Sequence, residues 1–438
     1  MSAADHDKSP AGRGEARAIQ RPTGTRDFYP DDQARRRYVF DTWRRVGLRH
    51  GFDEIDGPTF EHLDLYTVKS GEGIVSELFS FRRFGGEKEF ALRPEFTPTL
   101  ARMAAAKAAA LPKPVKWFSV ANYFRAERPQ RGRLREFAQW NVDVLGDDSA
   151  QADAECIACC VEALRAFGLT EKDVRVRVSH RGVVTECLAA AGVREESMEA
   201  ALALLDRRQK VDGAEFAKQA QGVGLDVAKF DAATAARAGG GGAGDAFGSL
   251  LALLDAQGVR GWCDAGFGIV RGLAYYTGTV FEVHEAGGKE RAIAGGGRYD
   301  KLIELFGGPP TPAVGFAMGD VVLSLVLEDR GLMPTGAALL EKIGARPDAF
   351  VISNGAAASD AALTPLVARL RGHGLHARHT YRSTKNVGKL LKEAAQTGAR
   401  CAVIIEDGAS ATVKDLDSGE TREGVALESL PALLAETG

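Results

Sequence analysis

The chain has 438 residues, 45% of them hydrophobic, and a formal net charge of −3 from 56 Lys+Arg against 59 Asp+Glu. That length allows two or three domains with their own cores, and the charge balance excludes nucleic-acid binding through a global basic field, leaving only local patches. No apolar run approaches the roughly 18–20 residues that span a bilayer, and the polar first twenty residues lack a signal peptide's apolar segment, so a disordered tail over 1–20 and a cytoplasmic protein with no membrane partner are expected.

Tyr38, Val39, Trp43, Val46 and Leu48 recur at helical spacing within residues 32–50, and Gly51 is placed to end that helix at its C′ position. Phe52-Asp-Glu-Ile-Asp-Gly-Pro58 then reads as a strand stopped by proline. Phe79-Ser-Phe-Arg and Glu89-Phe-Ala-Leu-Arg-Pro read as paired strands around a Gly85-Gly86 turn. Thr97 is expected to cap the alanine-rich helix that follows.

The stretch with the densest chemistry comes next. Residues 115–124 and 137–145 are rich in aromatic and β-branched side chains with partial alternation, which predicts an antiparallel hairpin. The loop between them carries Arg125, Arg128, Arg131, Arg133 and Arg135. Guanidinium groups so crowded repel one another unless something negative joins them, and their planar forks suit phosphate oxygens. A polyphosphate is one partner; surface carboxylates such as Glu127 and Glu136 are the other.

A helix is expected over 150–167, with Cys156, Cys159 and Cys160 as small core hydrophobes rather than a metal half-site. A strand follows over 174–179. Residues 182–257 turn to alanine-rich helical pattern, broken by a glycine run at 239–244 that lacks the Lys-Ser/Thr of a P-loop. Residues 270–283 and 294–300 are strand-bounded and combine consecutive glycines with adjacent tyrosines. Glycines let a ligand approach the backbone and tyrosines offer flat walls with polar tips, so a pocket for a small ring is one reading and an ordinary strand pair the other. A glycine-spaced strand over 311–319 runs into a helix over 320–328, and a linker ends near Pro347. Beyond it strand and helix alternate, as in a small α/β domain. Gly374 interrupts any helical face shared by His373, His376 and His379, which are taken as surface or packing residues. Lys385, Lys389 and Lys392 suit phosphates or a solvated helix face equally.

Phe124-Arg125-x-Glu127-Arg128-Pro129-Gln130-x-Gly132-Arg133-x-Arg135-Glu136-Phe137-x-Gln139 resembles the second signature motif of class II aminoacyl-tRNA synthetases, in the form carried by histidyl-tRNA synthetases. Arg271-Gly-Leu-x-Tyr275-Tyr276-Thr-Gly278 and Ala294-Gly-Gly-x-Arg298-Tyr299-Asp300 resemble the two histidine-specific motifs of that family. The helix–strand–proline order before residue 58 and the 311–322 segment resemble the first and third class II motifs. The resemblance implies an α/β and α+β multidomain fold: a class II antiparallel-sheet catalytic domain over 21–335, a helical insertion over 182–257 and a C-terminal α/β anticodon-binding domain over 347–438. It implies ATP-dependent attachment of histidine to tRNA(His) through a histidyl-adenylate, by a homodimer using Mg²⁺ with ATP as substrate and no other metal. By the same resemblance Arg125 and Arg271 act on the α-phosphate, with Glu127, Arg133 and Arg135 completing the ATP set. Glu95, Thr97, Gln139, Asp143, Tyr275, Tyr276 and Tyr299, with Arg271, hold histidine.

Four positions depart from that pattern. Ala138 stands where histidine is frequent, Asp143 where a glutamate usually meets the imidazole, and Ala274 where an aspartate is usual. Val322 occupies the place of the third motif's arginine, which in most class II enzymes holds the γ-phosphate; Arg133 or Arg135 is a candidate to supply that charge. Val322 keeps two alternatives open: a catalytically inactive histidine-binding paralogue regulating ATP phosphoribosyltransferase, and an uncharged-tRNA sensor.

Overall fold

The computed structural model describes residues 19–70, 72–208, 211–237, 246–267, 276–382, 384 and 386–436. Its centre is an eight-stranded sheet in the order Asp53–Glu54, Val115–Phe124, Glu136–Leu145, Ala313–Gly319, Ala294–Arg298, Thr279–Glu285, Val174–His180, Cys263–Ala265. The six inner strands are antiparallel; the outermost strand on each side pairs parallel.

The expected basic hairpin forms this sheet's longest pairing, with Val115 opposite Leu145 and Phe124 opposite Glu136. Side chains alternate along a strand, so its second arm divides cleanly. Ala138, Trp140, Val142 and Val144 are buried on the apolar face, while Phe137, Gln139, Asn141 and Asp143 face the other way. The apolar face is covered by the Pro30–Arg49 and Ala150–Ala166 helices. Trp43 stacks on Trp140 with ring centroids 6.2 Å apart, and its indole N–H donates to Met318 Sδ at 3.2 Å. Cys156, Cys159 and Cys160 are fully buried in the second helix, and burial drives their thiols well above the usual range, as suits core hydrophobes.

Gly51 follows the first helix with φ +73°, as expected. Thr97 is not a cap. The first backbone bond of the Thr97–Lys107 helix runs from the Leu100 N–H to the Phe96 carbonyl at 2.9 Å, which makes the buried Phe96 the N-cap and draws Thr97 into the first turn.

Helices Arg181–Ala190, Met198–Asp206, Gly213–Gly222, Val227–Arg237 and Ala246–Ala256 follow the Val174–His180 strand. Their Leu188, Leu205, Phe230 and Leu254 belong to the same core as the central sheet. The glycine run at 239–244 lies outside the described residues.

The expected linker is partly helical: Gly336–Lys342 places Leu339 and Ile343 in the main core. A second sheet follows, in the order Ala377–His379, Ala349–Ser353, Cys401–Ile405, Ser410–Asp415, Thr421–Ala426. Helices Ala357–Gly372 and Val387–Gln396 fill separate apolar clusters on its two faces. His373, His376 and His379 bond to three different groups: the Arg369 carbonyl, the Arg378 guanidinium and the Thr380 carbonyl.

Candidate active site

The polar face of the central sheet opens into a cavity of about 290 Å³. Its floor is the alternating row Phe137, Gln139, Asn141, Asp143, which at ~3.3 Å per residue runs roughly 20 Å along one strand. Glu95 and Thr97 at the start of the Thr97–Lys107 helix form one wall, with Tyr276 and Tyr299 beside the deep end. Arg125, Arg133 and Arg291 stand at the other end, where the hairpin turns.

At the deep end Asp143 is buried, and the Tyr299 hydroxyl donates to its Oδ1. Burial pushes the Asp143 carboxyl up to about 7, against a smaller downward pull from the Tyr299 hydrogen bond. The neighbouring strand leaves space for this carboxylate only because position 315 is glycine. A Cβ there would overlap Asp143 Oδ1 and lie 2.6 Å from the Val142 carbonyl oxygen. Asn141 is also buried and donates to the Tyr123 hydroxyl at 3.0 Å, tying the two hairpin arms together.

Arg125 is held where the hairpin meets the Glu95 wall. Its backbone N–H donates to the Arg135 carbonyl at 2.9 Å, its Nε donates to the Pro94 carbonyl at 3.1 Å, and its guanidinium lies 5.2 Å from the Phe137 ring centroid. Among the described residues no carboxylate pairs with it. Arg133 pairs with Glu127. Burial, then Arg291, then Arg125 pull the Arg133 pKa below its ordinary value, the signature of cations crowded at one place.

The other loop residues are buttresses. Arg135 donates to the Glu127 carbonyl at 3.1 Å and the Thr23 carbonyl at 3.5 Å, and forms no part of the cavity lining. Glu127 also stands outside the lining, behind Arg133. Of the expected ATP set, the structure therefore brings Arg125 and Arg133 to the cavity and sets Glu127 and Arg135 as their support. Of the expected histidine set, Glu95, Thr97, Gln139, Asp143, Tyr276 and Tyr299 line it. Arg271 and Tyr275, together with Ala274, lie outside the described residues.

Two of the departures, Ala138 and Val322, meet at the start of one helix. The Ala138 amide donates to Asp320 Oδ1 at 2.8 Å, while Asp320 Oδ2 accepts from Arg26 at 2.7 Å, so the start of the Asp320–Asp329 helix is pinned to the hairpin and to the chain's N-terminal segment. Val322, in the first turn of this helix, is a buried apolar part of the cavity wall beside Gly132. Arg298 is structural: it donates to Asp153 at 3.1 Å and to the Asp147 and Ser149 carbonyls at 2.9 and 3.0 Å, anchoring its strand to the Ala150–Ala166 helix.

Asn141 and Arg291 were not anticipated as site residues. The period-2 alternation that places Gln139 and Asp143 on one face also places Asn141 there, so that signal was available. Arg291 has no local pattern; only tertiary folding brings it to the hairpin.

Comparison with known proteins places this architecture. The family model described as Histidyl-tRNA synthetase matches residues 24–320. The chain is 42% identical over 399 residues to the histidine–tRNA ligase of Opitutus terrae, covering 87% of this chain and 89% of that one. It is 40% identical over 417 residues to the histidine–tRNA ligase of Halobacterium salinarum, covering 91% and 94%. The crystal structure of histidyl-tRNA synthetase from Nostoc sp. PCC 7120 superposes with a TM-score of 0.77 at 23% identity, covering 96% of this chain and 100% of that one, a likeness of fold. With its motifs, its fold and these relatives in agreement, the chain belongs to the histidyl-tRNA synthetase family.

Proposed function

We propose that the protein activates histidine with ATP to form histidyl-adenylate and then transfers the histidyl group to tRNA(His). The observation that carries this reading is the polarity of one cavity: a carboxylic acid and tyrosine hydroxyls at its deep end, and the three guanidinium groups of Arg125, Arg133 and Arg291 at its mouth. Histidine lies with its ring toward Asp143 and Tyr299 and its ammonium toward Glu95 and Thr97. Buried polar groups there reject an isostere lacking ring nitrogens, because they are left unpaired by it. The histidine carboxylate attacks the α-phosphorus in line, and pyrophosphate leaves toward the mouth. No covalent enzyme intermediate is needed, so the chain's contribution is positioning and charge stabilisation, with Arg125 as the group that meets the charge building on the α-phosphate. The family motif assigns Arg271 to the same phosphate.

Mg²⁺ enters as the counterion of the substrate ATP. Of the carboxylates by the mouth, Glu127 is held by Arg133 and Asp320 by Arg26 and the Ala138 amide; the ion would neutralise charge on the triphosphate. Among the described residues no group of three or more acidic, histidine or cysteine side chains is arranged to hold a metal. The 182–257 helices contact the acceptor arm of the tRNA, and the 347–438 portion, with Lys389 and Lys392 exposed, its anticodon. A homodimer in the cytoplasm completes the reading; no described helix is long and apolar enough to cross a membrane.

Histidine-dependent ATP–pyrophosphate exchange tests it. Purified protein exchanges only with histidine present, and Arg125→Ala lowers the rate about 10²–10³-fold, as removal of an oxyanion donor does. Absence of exchange, with histidine still bound in calorimetry, moves the assignment to the regulatory or sensor alternative.

A further inference from the structure

The mouth of the cavity contains more positive charge than the α-phosphate of a nucleotide requires, and one of its arginines comes from outside the signature motifs. Arg291 lies in the chain entering the Ala294–Arg298 strand. Its position is fixed from both sides. On one side, Ile293 is laddered into the sheet, its N–H donating to the Val283 carbonyl at 2.8 Å and its carbonyl accepting from Gly319 at 3.1 Å. On the other, Glu290 accepts from the Arg131 guanidinium at 2.6–2.7 Å, although Arg131 itself is 63% exposed and Glu290 only 5%. The hairpin tip is thereby clamped onto the 290–293 segment.

The tip is closed by paired Gln130 and Arg133 backbone bonds with Gly132 at φ +73°. A Cβ built on Gly132 would lie 3.3 Å from Val322 Cγ2 and 3.7 Å from Arg291 Cδ, so the hairpin tip, the apolar Val322 and Arg291 are immediate neighbours. The adjacent carboxylates are spoken for: Glu290 belongs to Arg131 and Glu127 to Arg133. Among the described residues no acidic side chain pairs with Arg291, which lines the cavity with an exposed side chain. Val322 brings no charge to this wall.

We infer that Arg291, with Arg133, is the binding site for the outer phosphates of ATP and for the departing pyrophosphate, clamped in place by the Arg131–Glu290 ion pair. The inference rests on the reading that the cavity takes ATP, and it adds the residue that holds the end of the nucleotide beyond Arg125. Two guanidinium forks flanking the Gly132 turn match an oligophosphate better than any single-charge ligand. The same pair restrains the leaving group, so Arg291 acts on the ATP side of the reaction and has no part in holding histidine.

The test is calorimetric titration of wild type, Arg291→Ala and Arg291→Lys with inorganic tripolyphosphate and with ATP, beside pyrophosphate exchange. Arg291→Ala is expected to weaken tripolyphosphate about tenfold or more and to raise the KM for ATP by a similar factor, with Arg291→Lys between it and wild type and histidine affinity unchanged. Because Arg291 is exposed, its melting temperature should match wild type. Tripolyphosphate and ATP binding within twofold of wild type in Arg291→Ala overturns the inference, even where exchange is robust and collapses in Arg125→Ala. Tripolyphosphate binding that drops with Arg291→Ala in a protein showing no exchange preserves the anion site and removes the synthetase reading instead.

Discussion

Asp143 shows how a single shortened carboxylate works at the bottom of a buried pocket. It keeps its proton to about pH 7 because burial disfavours the charge, whereas an unperturbed aspartate releases it near 3.8. The native state therefore binds more protons than the unfolded chain between those values, and stability falls as pH rises through that window. Asp143→Asn is neutral at every pH and keeps an oxygen to accept from Tyr299. Its stability relative to wild type should therefore rise by on the order of 2–3 kcal/mol between pH 5 and pH 8. Paired melts at the two pH values decide this, and a difference that does not change with pH would show that Asp143 ionises normally. If the proposed reading holds, the cost has a functional counterpart: a group poised near neutrality can present either an acceptor or a donor to an imidazole, whose own proton comes and goes in the same range.

At the scale of elements, the site depends on strand-to-strand fit. Position 315 lies opposite Asp143 in the ladder, and its missing Cβ is the room the carboxylate occupies. Gly315→Ala should destabilise by about 1–3 kcal/mol through overpacking and weaken histidine binding. Gly319→Ala, at the end of the same strand with nothing within 4 Å of a new Cβ, should lower the melting temperature less, by only the loss of a glycine N-cap on the Asp320–Asp329 helix. Equal effects of the two on melting would refute the fit. The buried Arg298–Asp153 pair makes a second test. Arg298→Met strands a buried carboxylate and should cost about 3–5 kcal/mol, part of which Asp153→Asn in the same chain recovers. A double variant no more stable than Arg298→Met would mean that the pair's charge is irrelevant.

The elements legible in the sequence were those whose periodicity their own residues impose. The hairpin, the Trp43 helix and the cysteine helix fall in this class, because each buries one face and shows it in spacing. The Thr421–Ala426 strand did not stand out: it is a largely exposed edge, chosen by backbone pairing with Ser410–Asp415 and not by an apolar pattern. The Gly336–Lys342 helix was masked by its Gly, Pro and Ala surroundings. Thr97 carried the residue type of a cap, yet burial of Phe96 one position earlier set the helix start. At the site, motif strings led to strands that line the cavity but could not separate residues that line it from those, such as Arg135 and Arg298, that hold the lining in place.

Across the whole molecule the cores are segregated. The main apolar core ends with Leu339 and Ile343, and every residue of the two clusters on the second sheet lies between 349 and 434. The joint between the two regions is narrow: Glu341 pairs with Arg400 at 2.6 Å and with Arg346 at 3.4 Å, and Leu340 and Ala337 lie beside Gly398. Exposed ion pairs of this kind contribute about 0–1 kcal/mol each, too little to make one part's folding conditional on the other. A fragment of residues 346–438 should therefore unfold cooperatively on its own, and residues 1–345 should melt close to the main transition of the full chain. If the 347–438 portion serves only to recruit tRNA, the longer fragment also keeps histidine-dependent pyrophosphate exchange within about tenfold of the full chain, while its transfer of histidine to tRNA falls by a larger factor. A C-terminal fragment without a cooperative melt would show that the joint is structural after all. Exchange and transfer lost in equal measure by a folded 1–345 would show that the distal portion shapes the active site as well as the RNA contact.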